Sequence, residues 1–128
     1  YANIDEVLAD YVLHADHPQH VEINYISEES IDWSDIDPEL AGEMYRITQE
    51  ALGNSIKHSH ATRVGVALIR DEDTIEIEIR DNGKGFDKSR ITRGIGIRTM
   101  HERVKSIGGE LSIDSGSSGT TVVAKFKI

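Results

Sequence analysis

The chain has 128 residues, 38% of them hydrophobic, with 23 acidic and 14 basic side chains and a net charge of −9. That length suits one domain able to bury roughly two thirds of the surface its unfolded chain exposes, and the acidic balance argues against a binder of nucleic-acid backbones. Absence of cysteine removes disulfide frameworks, cysteine zinc sites and thiol nucleophiles, while no apolar run reaches the ~18 residues of a membrane span and no signal-peptide pattern opens the chain.

Ile4, Val7, Leu8, Tyr11 and Val12 recur at i, i+3, i+4, i+7 and i+8, which predicts an amphipathic helix over 3–14. Asn3 and Glu6 resemble a capping box at its start. Val21, Ile23 and Tyr25 alternate with polar residues and predict a strand over 20–26; the polar stretch after it holds Trp33, which no pattern places. Asp37-Pro38 is a helix start, an N-cap oxygen followed by proline at the first helical position. The helix it opens should run to about His58, with Leu40, Met44, Ile47 and Ala51 on one broad apolar face. Val64, Val66 and Leu68, then Ile75, Ile77 and Ile79, alternate on either side of Asp71-Glu72-Asp73 and predict a hairpin. A glycine-rich segment, 82–96, precedes a helix over 97–107 that stops at Gly108-Gly109. A last hairpin around Ser115–Gly119 pairs Leu111 and Ile113 with Val122, Ala124, Phe126 and Ile128. The predicted order, α-β-α-β-β-α-β-β, describes one α/β domain over residues 1–128, a two-layer sandwich whose sheet is mostly antiparallel with helices on one face.

Four clusters carry chemistry, and the first two have a plainer reading beside them. Glu50, Asn54 and Lys57 form one stripe at i, i+4 and i+7 on the central helix, bordering its apolar face. A carboxylate, an amide oxygen and an ammonium can there orient a nucleophile, ligate Mg²⁺ and approach phosphate; an amphipathic border with a Glu–Lys pair would look the same. Asp81-Asn82-Gly83-Lys84-Gly85-Phe86 is either a turn or a strand end. If the strand persists, Asp81 continues the inward parity of Ile75, Ile77 and Ile79 and needs a donor partner inside. Gly94-Ile95-Gly96-Ile97 leads into a helix whose first amides and dipole suit phosphate. Neither a dinucleotide fingerprint nor a P-loop lysine motif is present. Gly119-Thr120 opens the last strand, with Thr120 in parity with Val122.

The order and spacing of these clusters are more telling than any one alone. The run Tyr45-Arg46-Ile47-Thr48-Gln49-Glu50-Ala51-Leu52-Gly53-Asn54-Ser55-Ile56-Lys57-His58 closely resembles the N box of histidine kinases of the nitrate-sensor-like class. Asp81-x-Gly83-x-Gly85-Phe86 and Gly94-x-Gly96-Ile97-x-x-Met100-x-Glu102-Arg103 resemble the two glycine boxes, and Gly119-Thr120 the terminal Gly-Thr motif. Over about residues 38–128 the chain therefore resembles the superfamily of histidine kinases, gyrase, heat-shock chaperone ATPases and MutL-type proteins, whose ATP-binding sandwich is the Bergerat fold. The resemblance implies ATP and Mg²⁺ as cofactors. Asn54 would hold the metal and Glu50 would polarise the nucleophile. Lys57 and His58 would lie near the phosphates, and Asp81 would accept from the adenine amine with Thr120 in support. Gly83 and Gly85 would border the base, and Gly94, Gly96 and Ile97 would close a short lid, about residues 84–96, over the phosphates.

A complete kinase of this kind also has an acceptor histidine followed by an acid. His14 precedes alanine at a helix end, and His17 and His20 fall in loop-like sequence; His60 and His101 read as surface or capping side chains. The expectation is a cytoplasmic, monomeric catalytic domain with no nucleic-acid or direct membrane contact. Its partners would be the dimerisation and phosphoacceptor helices of its own kinase and, through them, a response regulator. An anti-sigma-type serine kinase of the same superfamily and a nucleotide-sensing module without turnover are the alternative readings.

Overall fold

The computed structural model describes residues 3–28, 32–33, 35–58, 60–84 and 95–128. The elements follow the expected order: α1 (Ile4–His14), β1 (Glu22–Ser27), α2 (Pro38–His58), β2 (Arg63–Arg70), β3 (Thr74–Asp81), α3 (Ile95–Ser106), β4 (Glu110–Gly116) and β5 (Gly119–Lys127). Local chemistry sets the helix ends. The Asn3 side chain accepts from the Glu6 amide at 3.0 Å, and the Asp37 carboxylate accepts from the Glu39 amide at 2.8 Å, so orphan donors of the first turns are satisfied. At the end of α3, the Gly108 amide donates to the Lys105 carbonyl at 3.1 Å and the Gly109 amide to the Val104 carbonyl at 2.9 Å. Gly108 sits at φ +76° to allow it, the pairing of a Schellman stop. One boundary differs from expectation: α3 begins at Ile95, so Gly96 and Ile97 belong to its first turn instead of preceding it.

Among the described residues, five strands form one sheet in the order β1-β2-β3-β5-β4. The neighbours β2/β3, β3/β5 and β4/β5 are antiparallel, while β1 and β2 are parallel. That parallel pair follows from connectivity, since β1 reaches β2 through all of α2, and a crossover helix is what parallel neighbours require. Alternate residues of the strands, Val64, Val66, Leu68, Ile75, Ile77, Ile79, Val122, Ala124 and Phe126, are buried against the helical layer. α2 lies at the centre of that layer, burying Met44, Ile47, Ala51 and Leu52 and touching α1, α3 and strands β2, β3 and β5. Tyr25 donates its hydroxyl to Asp5 at 2.8 Å, which ties α1 to β1; burial, then that acid, raise the phenol's pKa.

Trp33, which the sequence pattern left unplaced, is 3% exposed and belongs to the core. The segment carrying it is held by Arg70, whose guanidinium donates to the Asp32 carbonyl at 2.7 Å and to both carboxylate oxygens of Asp35 at 2.7 and 2.9 Å. Arg70 lowers the Asp35 pKa below its ordinary 3.8. The pair's contribution is therefore complete above about pH 4 and is lost as pH falls through the depressed folded value. Trp33 is the single tryptophan, so its emission reports this clasp. Arg70→Ala is expected to red-shift that emission at neutral pH, and wild type should show the same shift only on strong acidification. A variant spectrum identical to wild type would mean that the clasp does not hold Trp33 in place.

Candidate nucleotide site

Strand parity carries Asp81 to the inner side of β3, where it is 5% exposed. The buried carboxylate is satisfied from three elements. Its Oδ2 accepts from the Ser55 hydroxyl of α2 at 2.7 Å, and its Oδ1 accepts from the Gly83 amide at 2.9 Å and the Thr120 amide of β5 at 3.2 Å. A carboxylate has about four acceptor positions, so this set fills Oδ1 and leaves Oδ2 one direction for an incoming donor. Thr120 is in register opposite Asp81 and buried, but it supports the acid through its amide. Its hydroxyl lies 2.9 Å from Ser115 Oγ on β4. Gly119 makes the approach possible: at φ +139°, a Cβ there would collide with the Asp81 carbonyl oxygen.

The strand persists to Asp81 and ends there, so the acid keeps its inward parity and the residues after it leave the strand. Asn82 accepts the amides of Thr62 and Arg63, each at 2.9 Å, and donates to the Thr62 hydroxyl at 2.9 Å. It fastens the end of β3 to the start of β2 and so fixes where Asp81 points. Gly83 is buried beside it. Ser55 escaped the sequence reading because, 100° past Asn54, it falls inside the apolar face of α2 with buried Met44 and Thr48 and not on the polar stripe; its hydrogen bond to Asp81 is visible only once α2 is laid on the sheet.

The second half of the site is set by α2 and α3. The Glu43 carboxylate of α2 meets the Arg103 guanidinium of α3 at 3.3 Å, and further along α2 Ile47 and Glu50 share a cleft of about 270 Å³ with Thr99 and Met100. As α2 advances, α3 is met in reverse, so the two helices are antiparallel. At about 1.5 Å per residue, Ile95 lies ~12 Å beyond Arg103 and Asn54 ~16 Å beyond Glu43, which places the amino end of α3 nearly level with Asn54. Asn54, half-buried, is followed directly by the serine bonded to Asp81. The inward acid, the amide side chain and the amino end of α3, with its positive dipole end, therefore gather at one end of the molecule.

Not every expected residue joins them in the same way. Glu50 is half-buried in the α2–α3 cleft, whereas the exposed Lys57 lines the larger groove of about 780 Å³ between α2 and α1, with Asp10, Tyr11 and His14. His58 ends α2, and Gly96 and Ile97 lie in the first turn of α3. Gly85 and Gly94 fall outside the described residues.

Residues 40–128 match the family described as histidine kinase-, DNA gyrase B-, and HSP90-like ATPase. The chain belongs to that family. Sensor protein VraS of Staphylococcus epidermidis is 39% identical to this ATPase-family chain over 88 residues, which is 67% of the chain and 25% of VraS. VraS of Staphylococcus aureus strain COL gives the same identity and coverage. The chain thus spans about a quarter of the length of these curated relatives. Among solved structures, the histidine kinase domain of the Erythrobacter litoralis EL346 blue-light activated histidine kinase superposes with a TM-score of 0.82 at 21% identity, over 97% of this chain and 64% of that one. The mycobacterial sensor histidine kinase MprB superposes with a TM-score of 0.68 at 20% identity, over 97% of this chain and 91% of that one. These likenesses extend the shared α/β fold over nearly the whole chain, including α1 and β1, which precede the family match.

Proposed function

We propose that this domain binds Mg-ATP and transfers its γ-phosphoryl group to a histidine on the dimerisation and phosphoacceptor helices of a two-component sensor kinase. The observation that carries the reading is the buried Asp81, held by Ser55, Gly83 and Thr120 with one acceptor direction unused, next to Asn54 and the amino end of α3. Adenine offers an exocyclic amine that fits this acceptor, and a base seated there directs its phosphates toward Asn54. Relatives that are sensor proteins, and the N-box run over 45–58, favour histidine as the acceptor over the serine of an anti-sigma-type kinase. The same run supports the nitrate-sensor-like class.

A metal ion fits the donors present. Among the described residues no three His, Cys, Asp or Glu side chains converge on one point. Magnesium takes one or two protein oxygens and completes its shell with phosphate and water, so the Asn54 amide oxygen suffices as its protein ligand. When bound, the ion would neutralise charge on the phosphates during transfer. The chain's own groups do the rest. The helix amides of α3 face the phosphate end, and Glu50 accepts a hydrogen bond from the N–H of the incoming imidazole and so orients its other nitrogen as the nucleophile. In a protein with net charge −9, these local devices replace a general positive field.

Incubating the domain with γ-labelled Mg-ATP is expected to give no phosphohistidine. Adding the acceptor helices of the full-length kinase as a separate dimer is expected to label those helices. Labelling of the isolated domain would show that one of its own histidines is an acceptor; failure to label the helices, with nucleotide demonstrably bound, would overturn the transfer reading.

A further inference from the structure

The contact between Glu43 and Arg103 is an unusual way to join two helices. Met100 and Val104, 3% and 1% exposed, already bury the apolar side of α3. Glu43 is nearly buried, with 15% of its side chain exposed; its Oε1 accepts from Arg103 at 3.3 Å and lies 3.6 Å from the Arg46 guanidinium as an ion pair. Its Oε2 is buried with no hydrogen-bond partner among the described residues. A carboxylate taken out of water with one oxygen unsatisfied is a poor source of stability, and apolar replacements of such pairs are often neutral or stabilising. What a charged pair does supply is a fixed register, because it pins one point of α3 to one point of α2, whereas apolar surfaces tolerate sliding.

We propose that Arg103, through Glu43, is a positioning residue for phosphoryl transfer: it sets how far the amino end of α3 reaches toward Asn54 and Glu50. This rests on the nucleotide-site reading above. The pair lies about three turns of α2 from Asn54 and about two turns of α3 from Ile95; Arg103 also lines the cleft that holds Glu50, about two turns of α2 beyond Glu43. A slip of one residue along α3 moves its first amides by about 1.5 Å, enough to spoil contacts with the terminal phosphate. Asp81 stands on β3, outside this helix pair, and the adenine slot is unaffected.

The test is the double variant Glu43→Met/Arg103→Met, beside Arg103→Lys and wild type. The doubly apolar protein is expected to melt at or above the wild-type temperature and to bind Mg-ADP within about threefold of wild type. Its Mg-ATP affinity should fall about tenfold, and transfer to added acceptor helices by more than that. Arg103→Lys, which keeps the charge, should recover part of the loss. Unchanged Mg-ATP affinity and transfer in the double variant would overturn the proposal, as would ADP binding, ATP binding and melting temperature falling together, which marks a contact that only supports the fold. Wild type failing to bind either nucleotide would instead sink the underlying site reading, so the two failures are distinguishable.

Discussion

Asp81→Asn is expected to abolish measurable Mg-ATP binding in calorimetry while leaving the domain folded. The asparagine carbonyl oxygen can keep the Gly83 and Thr120 amides that Oδ1 accepts at 2.9 and 3.2 Å. Its NH₂ then replaces Oδ2 and can donate to the Ser55 hydroxyl, which accepts as readily as it donates. Internal contacts are thus preserved with one polarity reversed. Toward the ligand the reversal is not tolerated: an N–H meets the amine of adenine, so the charge-assisted bond is lost and two donors are left facing each other. Losing such a bond and stranding its partner is on the order of 3 kcal/mol, roughly a hundredfold or more in affinity. The same logic predicts that the variant gains relative affinity for a purine carrying an oxo group at that position, such as inosine triphosphate. Asp81→Ala makes the useful contrast. It removes the acceptor from three donors at once, at about 1–3 kcal/mol for each one left without a partner, so it should lower the melting temperature as well as binding. Wild-type Mg-ATP affinity in Asp81→Asn would refute the adenine assignment outright.

The inward direction of Asp81 was legible in the sequence because side chains on a strand alternate with a fixed period of two. Once Ile75, Ile77 and Ile79 are assigned to the core, residue 81 has no choice while the strand lasts. Element order was legible for a similar reason, since the helical and strand periods along this chain are cleanly separated. What sequence could not show is which distant groups meet. The role of Gly119 depends on β5 lying against the Asp81 backbone, and that of Ser55 on the angle at which α2 crosses the sheet; neither is encoded in local spacing. Thr120 is half of such a case. Parity predicted its burial, but the group offered to Asp81 is the backbone amide, which any residue but proline would supply at that position, while the hydroxyl turns to Ser115. Lys57 shows the opposite limit. Its helical angle is that of Glu50, yet a long flexible side chain near the end of α2 leads to the groove beside α1, because angle on a helix does not fix where four methylenes go.

Asn54→Ala is expected to lower Mg-dependent phosphotransfer by roughly a hundredfold or more, the scale on which a metal's charge stabilisation of several kcal/mol is partly forfeited, with adenine recognition intact. The two effects separate because of a one-residue step on α2. Ser55 is aimed at Asp81 and holds that acid; Asn54, rotated by 100°, is turned to the side where α3 begins. Truncating residue 54 leaves the Ser55–Asp81 bond untouched, so metal-free binding of adenosine diphosphate should stay within about threefold of wild type. That retention rules out general damage to the fold. No cluster of acids or histidines among the described residues can take over as a cage, so loss of the single amide oxygen is not compensated and raising the magnesium concentration should restore only part of the rate. Asn54→Asp tests the charge of the donor. It offers a stronger oxygen ligand but adds a negative charge where a triphosphate converges, in a protein already at −9, and should also transfer slowly. Neutrality is then the property that residue 54 needs alongside its oxygen. Wild-type transfer rates in both variants would remove Asn54 from the metal-binding role and leave the α3 amides and Glu50 as the groups that organise the phosphate end.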